Sequence, residues 1–422
     1  MLKTALKNIE MIRPIAISLS PNTEKDDVLL ALRAFFSPRK WFDSQEVKLL
    51  EMEFERIFGS AYKALAVNSG RSAEYLILKA LGIGEKDEVI IQALTCVAVP
   101  NSILWLGAKP IYADIDDSYN IDPKDLMKKI TNKTRAIIVQ HTFGIPANFH
   151  EIQKITQEKN IVLIEDCSHS LGAEYAGNSV GALGDVSFFS FGRDKVISSL
   201  FGGMILTSNK KLYEKLKLEK DKLPDVPVFW VFQQLLHPIF FAAILPLYNL
   251  QIGKVILVLL QKLGVLTKAV YEQEKVGQKP SVFPSRMPGA LAILARNQLK
   301  KLRKFNSHRK KIANFYFSGL KGSQVSLPEM NKNAIWLRFP IRHPGVSRLY
   351  SYCKNKNILL GDWYKGVIMP SRDLARFGYH VGGCPQAEQI AETILNLPTY
   401  PSLNEKDAFK VVEVITRWLN TK

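Results

Sequence analysis

The stretch Ile161–Ser208, IVLIEDCSHSLGAEYAGNSVGALGDVSFFSFGRDKVISSLFGGMILTS, constrains the fold more than any other part of the chain. An apolar run, Ile161 to Ile164, ends in Glu165-Asp166. A second, Val186 to Phe191, leads through Gly192-Arg193-Asp194 to Lys195, and Gly202-Gly203 opens a third, Met204 to Thr207. Short apolar runs bounded by glycine and charge read as buried strands. An acid closing one buried strand and a lysine just past another suit a cofactor that needs both.

Pyridoxal phosphate is such a cofactor. Its aldehyde needs a lysine amine, its pyridinium nitrogen an acidic partner, and its phosphate a set of hydroxyl and backbone N–H donors. Lys195, Asp166 and Ser190 fill those roles in order. Taken alone, the same three also fit ordinary polar residues at strand ends.

The rest of the N-terminal half has the same grammar. Asp43-Ser44-Gln45-Glu46 starts a helix whose body is Val47–Phe58. Ala64–Val67, Glu88–Ile91, Pro110–Asp114 and Ala136–Val139 read as strands separated by helical stretches, which predicts βαβ units and a mostly parallel sheet. Ligands in such sheets sit outside the carboxyl ends of the strands. After the first strand, Asn68-Ser69-Gly70-Arg71-Ser72-Ala73 offers a glycine and small residues where backbone N–H groups can approach a phosphate. A plain helix cap at Ser69 or Ser72 is the other reading.

At 422 residues the chain can bury a large core. Its four cysteines, Cys96, Cys167, Cys353 and Cys384, are far apart and lack C-x-x-C spacing, which argues against a zinc site or disulfide framework and fits a reducing compartment. The start, MLKTALKNIEMIRP, has no long apolar core of a signal peptide, so a cytoplasmic protein is expected. A net charge of +18 favours anionic surroundings: lipid, nucleotide-linked substrates or nucleic acid. No nucleic-acid-binding signature accompanies it, so nucleic acid ranks last.

Several ordered blocks resemble the DegT-type (DegT/DnrJ/StrS) sugar aminotransferases, pyridoxal-phosphate enzymes of the aspartate-aminotransferase fold. The family's E-D-x-x-Q/H-x-x-G-A matches Glu165-Asp166-Cys167-Ser168-His169-Ser170-Leu171-Gly172-Ala173. Its G-D-x-x-x-F-S-F-x-x-x-K followed by G-G matches Gly184-Asp185, Phe189-Ser190-Phe191, Lys195 and Gly202-Gly203. The resemblance runs from about Glu51 to Ser208 and from about Arg286 to the C-terminus, where Gly383–Glu388 and Leu395–Pro401 resemble C-P-x-A-E and L-P-x-Y-P blocks.

The resemblance implies an α/β, fold type I enzyme with a large parallel-sheet domain, a small C-terminal α+β domain and a homodimeric assembly. Lys195 and Asp166 would be catalytic, with Gly70, Arg71, Ser72, Cys96, His169 and Ser190 also holding cofactor. Arg71 stands where the family has Thr and offers a cationic phosphate contact; Cys96 stands where an aromatic stacks on the ring. His169 would lie near the phenolic oxygen. His141, in an H-x-x-G-x-P-A run, contacts substrate or is a satisfied buried histidine. Arg286 matches N-x-R-M, a loop reaching the neighbouring subunit's site, although Pro284 replaces the Asn. Asp362-Trp363-Tyr364-Lys365 lies where the family varies with its sugar.

Val226–Leu266 is an insertion relative to that family, with no Asp, Glu, Lys or Arg between Asp225 and Lys254. It reaches membrane-span length, but Pro227, Pro238 and Pro246 interrupt it and glutamines dilute it. Segments dipping into one leaflet, or a hydrophobic hairpin flanked by lysines, are expected; a helical subdomain packed on protein is the alternative. The expected division is 1–221, 222–275 and 276–422. A long helix after Arg286 carries Lys300, Lys301, Arg303, Lys304, Arg309, Lys310 and Lys311, a run expected to be a solvated face.

The expected activity is amination of a nucleotide- or lipid-linked keto-sugar by an amino-acid donor, glutamate in most relatives, in cell-surface glycan synthesis. No metal is expected. The rivals are a sugar dehydratase, disfavoured because such relatives replace the lysine by histidine, and a non-catalytic membrane-associated scaffold.

Overall fold

The computed structural model describes residues 14–250 and 252–421. Seven strands form one sheet: β1 Lys63–Val67, β2 Glu88–Gln92, β3 Lys109–Ala113, β4 Thr134–Gln140, β5 Val162–Asp166, β6 Val186–Ser190 and β7 Gly203–Thr207. Their spatial order is β1-β7-β6-β5-β4-β2-β3. β7 runs antiparallel to both neighbours and the other pairings are parallel.

Both faces of this sheet are covered. Val89, Ile91, Ile138 and Ile164 point into one apolar cluster, while Ile90, Ile137, Val139 and Leu163 point into another. Successive strand side chains face opposite ways, so burial on both sides requires unbroken apolar runs rather than alternation. That is why the strands were readable as runs.

Register carries the chemistry to one edge. Asp166 pairs with Gln140 on β4 and with Phe188 on β6, which sets these three in a row at the carboxyl end of the sheet. Gly203 lies between Ser190 and Val67. A Cβ there would stand 2.3 Å from the Ser69 carbonyl oxygen, so only glycine lets β7 pass beneath the turn after β1.

The C-terminal part pairs β8 (Arg338–Arg342) with β9 (Ile394–Pro398), antiparallel. It reaches the large sheet's edge where Thr95–Cys96 pairs with Ile368–Met369. Ile15–Ala16 pairs with Ile358–Leu359, tying the first described residues to it.

Helix α1 spans Lys25–Phe35, α2 Ser44–Phe58 and α3 Gly70–Ala80. The expected long helix after Arg286 is instead two, α6 (Gly289–Leu299) and α7 (Leu302–Leu320). Its charges are not one solvated face either. Lys304 and Lys311 are exposed, but Lys301 reaches Asp26 at 2.6 Å and Asp27 at 3.0 Å. Arg309 is fully buried and donates to Asn306 Oδ1 (2.9 Å), Asn22 Oδ1 (3.0 Å) and the Val196 carbonyl (2.8 Å). Acceptors on residues distant in sequence made that burial possible.

The insertion forms α4 (Val228–Ile244), the 3₁₀ turn Leu245–Leu250 and α5 (Ile252–Lys262). Val228–Tyr248 is long and apolar enough to cross a membrane by length and composition. One face of α4 is nevertheless docked on protein: Trp230, Val231, Leu235 and Phe241 are buried. His237 meets Ser20 at 2.7 Å, and Gln234 accepts from Thr267 at 3.1 Å. This face of α4 is packed on protein, as in the alternative of a helical subdomain. α5 and the residue that follows it leave Ile252, Val255, Val258, Leu259 and Leu263 exposed. It packs by Gly253, where a Cβ would stand 2.5 Å from the Ile244 carbonyl oxygen.

Candidate active site

A cleft of about 390 Å³ opens at the carboxyl edge of the sheet and is closed by the C-terminal part and residues 269–270. It collects Gly70, Arg71, Cys96, Asp166, His169, Ser190, Lys195, Trp363 and Tyr364. A more open cavity of about 570 Å³ near Gln153, Asp185 and Lys211 gathers no comparable set.

At one end stands Asp166, buried, its Oδ1 accepting the Ser168 N–H at 2.9 Å. Burial pushes this carboxyl above its ordinary range, against the pull of the Ser168 hydrogen bond and of Lys195. Only a cation laid against it reverses that balance, which is what a protonated ring nitrogen provides.

At another end α3 begins. Its first N–H groups have no helical acceptor, a natural anion site. A Cβ on Gly70 would stand 2.8 Å from Ser190 Cβ, so glycine keeps the space between helix start and Ser190 open. Two expected contacts are corrected here. Ser72 turns inward: its N–H is capped by Ser69 Oγ at 3.1 Å and its hydroxyl donates to Asn68 Oδ1 at 2.7 Å. Arg71 lines the wall, but its guanidinium is ion-paired to the buried Glu274, donates to the Ala269 carbonyl at 3.0 Å and lies 4.7 Å from the Phe283 ring centroid. Its charge is already answered by the segment after the insertion.

Lys195 lies in the middle. Its Nζ is 2.9 Å from His169 Nε2, and His169 Nδ1 accepts the Phe143 N–H at 3.4 Å. That acceptor role assigns the imidazole proton to Nε2. Burial holds His169 well below its ordinary pKa, aided by Lys195 and Arg338. Burial also lowers Lys195; Asp194 opposes this and Arg338 adds to it. Both shifts disfavour placing a positive charge on each of the two facing groups at once. Tyr364 stacks on His169 and on Phe143, with centroids 6.4 and 6.1 Å away. Cys96 also faces the cleft, its thiol pushed up by burial.

His141 does not reach the cleft. It is fully buried, with Nε2 3.2 Å from Glu165 and Nδ1 accepting the Ala147 N–H at 3.1 Å. Glu165 also accepts from Gly181, Leu183 and Gly184 N–H at 2.7–2.8 Å. The ring nitrogens of His141 and the carboxylate of Glu165 are therefore used in locking the segments around β5 and before β6, and of the two readings of His141 the satisfied buried histidine is the one observed. Arg286 is half exposed outside the cleft wall, 3.1 Å from Asp225.

Among the cleft residues that sequence reading did not single out are Gln140, Asp194, Glu74 and Arg338. Glu74 is buried on α3, and burial next to Asp166 pushes its carboxyl well up. Arg338 is paired with Asp194, and its guanidinium carbon lies over Trp363, 3.6 Å from the ring centroid.

The profile of the DegT/DnrJ/EryC1/StrS aminotransferase family matches residues 22–416. An uncharacterised protein of Methanocaldococcus jannaschii is 30% identical over 381 residues, covering 87% of this chain and 89% of its own. The GDP-perosamine synthase of Escherichia coli O157:H7 is 28% identical, covering 85% and 86%. Among solved structures, Helicobacter pylori PseC, an aminotransferase of pseudoaminic acid biosynthesis, shares the fold with a TM-score of 0.75 at 20% identity, covering 97% of this chain and all of its own.

Proposed function

The chain belongs to the DegT/DnrJ/EryC1/StrS aminotransferase family, and from that premise we propose how its cleft acts. It is a pyridoxal-phosphate-dependent sugar aminotransferase of amino-sugar and polysaccharide biosynthesis. The reading proposed here is a keto-sugar acceptor, nucleotide- or lipid-linked, and an amino-acid donor, glutamate first among candidates.

The observation that carries it is the convergence of Lys195, Asp166, Ser190 and the open α3 terminus on one cleft. Asp166 would hold the ring nitrogen. Ser190 and the Gly70 and Arg71 N–H groups would hold the phosphate, and Cys96 and His169 would flank the ring. When bound, the cofactor supplies an electron sink for the donor's α-carbon. Lys195, its pKa lowered by burial and its amine 2.9 Å from the His169 ring, would take the proton from that carbon as general base and return one as general acid. An absorbance spectrum with pyridoxal phosphate, before and after L-glutamate, tests this in wild type and Lys195→Ala. A lysine-dependent band that bleaches with glutamate only in wild type is expected; a band indifferent to both favours the scaffold.

We also propose a homodimer, with Arg286 on the face toward the partner, and an insertion (222–275) that touches the inner face of the cell membrane. The stripe Ile252, Val255, Leu259 and Leu263 beside Lys254 and Lys262 supports lipid contact, since apolar residues at helical spacing flanked by lysines suit an anionic headgroup layer.

A further inference from the structure

The rim of the cleft is charged where two distant stretches of chain meet. Ala269 and Val270 line the cleft on the segment that leaves the insertion, and Met369 and Pro370 line it on the C-terminal part. Just beyond these pairs, Lys268, Lys275 and Arg372 converge on one carboxylate. Glu272 Oε1 accepts from Lys268 at 3.0 Å and from Lys275 at 2.9 Å, and Oε2 accepts from Arg372 at 2.5 Å. Backbone joins the two stretches as well, the Arg372 N–H donating to the Lys275 carbonyl at 3.1 Å. Lys268 directly precedes Ala269 and Arg372 follows Pro370 by two residues. At about 3.8 Å per step along the chain, the cluster belongs to the cleft mouth.

Like charges repel, and one carboxylate answers only one of three cations. Lys275 and Lys268 hold the Glu272 carboxyl down at about 2, so it counts as one full negative charge at neutral pH. Among the described residues no other acid pairs with any of the three cations. Three cations against one carboxylate leave two positive charges at the rim. Donors remain too, since an ammonium carries three N–H groups and a guanidinium five. The arginines deeper in the cleft are different: Arg71, Arg193 and Arg338 are engaged by Glu274, Thr267 and Asp194. Lys268 and Arg372 are 53% and 62% exposed, open to a ligand arriving from solvent.

We propose that Lys268, Lys275 and Arg372 form the subsite for a diphosphate that links the acceptor sugar to its carrier, with Glu272 as the positioning residue that gathers them. This rests on the aminotransferase reading above. Each phosphate of a diphosphate diester carries one negative charge, so its charge equals the excess at the rim; a single phosphodiester would leave half of that excess unanswered. Arg372 offers a planar fork to phosphate oxygens, and the two lysines act as point charges. The sugar then points into the cleft and the carrier points out. Nucleoside and polyprenyl carriers present the same diphosphate, and the exposed Leu263 lies only five residues before Lys268.

The test is calorimetric titration of the pyridoxal-phosphate-loaded enzyme with UDP, geranyl diphosphate and glucose 1-phosphate. Wild type is expected to bind one or both diphosphates on the order of tenfold more tightly than glucose 1-phosphate, and more weakly as salt rises. The double variant Lys268→Ala/Arg372→Ala is expected to lose on the order of tenfold in diphosphate affinity. Its cofactor absorbance band and circular dichroism report that it is folded and loaded. Tighter binding of UDP assigns a nucleoside carrier, and tighter binding of geranyl diphosphate a lipid carrier; either supports the subsite. No diphosphate binding by wild type, equal affinity in the double variant, or glucose 1-phosphate binding as tightly as the diphosphates overturns it. Each of those results leaves the aminotransferase reading standing on the bleaching of the cofactor band by L-glutamate. Absence of a lysine-dependent cofactor band in wild type overturns both.

Discussion

Nε2 of His169 points its proton at the Lys195 amine across 2.9 Å, because Nδ1 of the same ring is occupied by the Phe143 N–H. A donor to the lone pair favours the neutral amine. Burial lowers the Lys195 pKa, and removing this donor takes away a second influence in the same direction. His169→Phe should shift the pH midpoint for borohydride-trapped attachment of pyridoxal phosphate upward by about one unit, the effect of one hydrogen bond. Peptide mapping of the trapped lysine across a pH series measures it; an unmoved midpoint refutes the pairing.

Gly70 and Ser190 share a space that admits no further carbon. Gly70→Ala should fold, since alanine is a good helix residue, yet bind pyridoxal phosphate at least about tenfold more weakly through a crowded anion site. Fluorescence titration with the cofactor checks affinity, and far-ultraviolet circular dichroism checks the fold.

Arg309 is buried beneath the loop that follows Lys195, bonded to Val196, Asn22 and Asn306. Arg309→Met leaves those acceptors unpaired and should cost about 2–4 kcal/mol in urea unfolding. Because Val196 adjoins Lys195, the variant should also load less cofactor. A loss within error of zero would mean the site relaxes freely.

His169 and His237 are both held well below the ordinary 6.5 by burial. Below that pH the unfolded chain takes up protons that the folded histidines refuse, so stability falls as pH falls and is fully present above it. His237→Phe removes one such proton and should flatten the acid-side slope by about 1.4 kcal/mol per pH unit. Urea midpoints at pH 7.5 and 5.5 supply the comparison.

Val255 and Leu259 are exposed on α5. Replacing both with glutamate should abolish flotation with vesicles containing phosphatidylserine while leaving transamination by the soluble enzyme unchanged. Equal flotation of the two proteins, or none by wild type, would remove the membrane from the account.

Much of the large sheet was legible because strands buried on both faces must be written as apolar runs, as at Ile137–Val139 and Leu163–Ile164. Lys195, Asp166 and Ser190 were legible for a related reason: each sits just where a run ends, at the sheet's carboxyl edge. Arg338 was not, since an arginine within Leu337–Ile341 looks like the outward residue of an alternating strand. Its inward role depends on Asp194 and Trp363, distant in sequence. Arg309 hid inside a run of cations for the same reason. His141 stayed open between substrate contact and a satisfied buried histidine, because its partner Glu165 lies on the adjacent strand and is invisible without register.

The bond between Arg193 and Thr267 has a practical and evolutionary reach. Arg193 is two residues from Lys195, and its guanidinium is gripped by the segment that closes the insertion, at the Thr267 carbonyl and hydroxyl, with Gln234 of α4 alongside. Excising 226–266 would remove Gln234, which also accepts from the Thr267 hydroxyl, and so loosen the hold on the loop that presents the lysine; a truncated enzyme should then lose turnover for reasons unrelated to lipid. The exposed side chains of α5 can change one at a time without touching that loop, whereas Gln234 of α4 cannot.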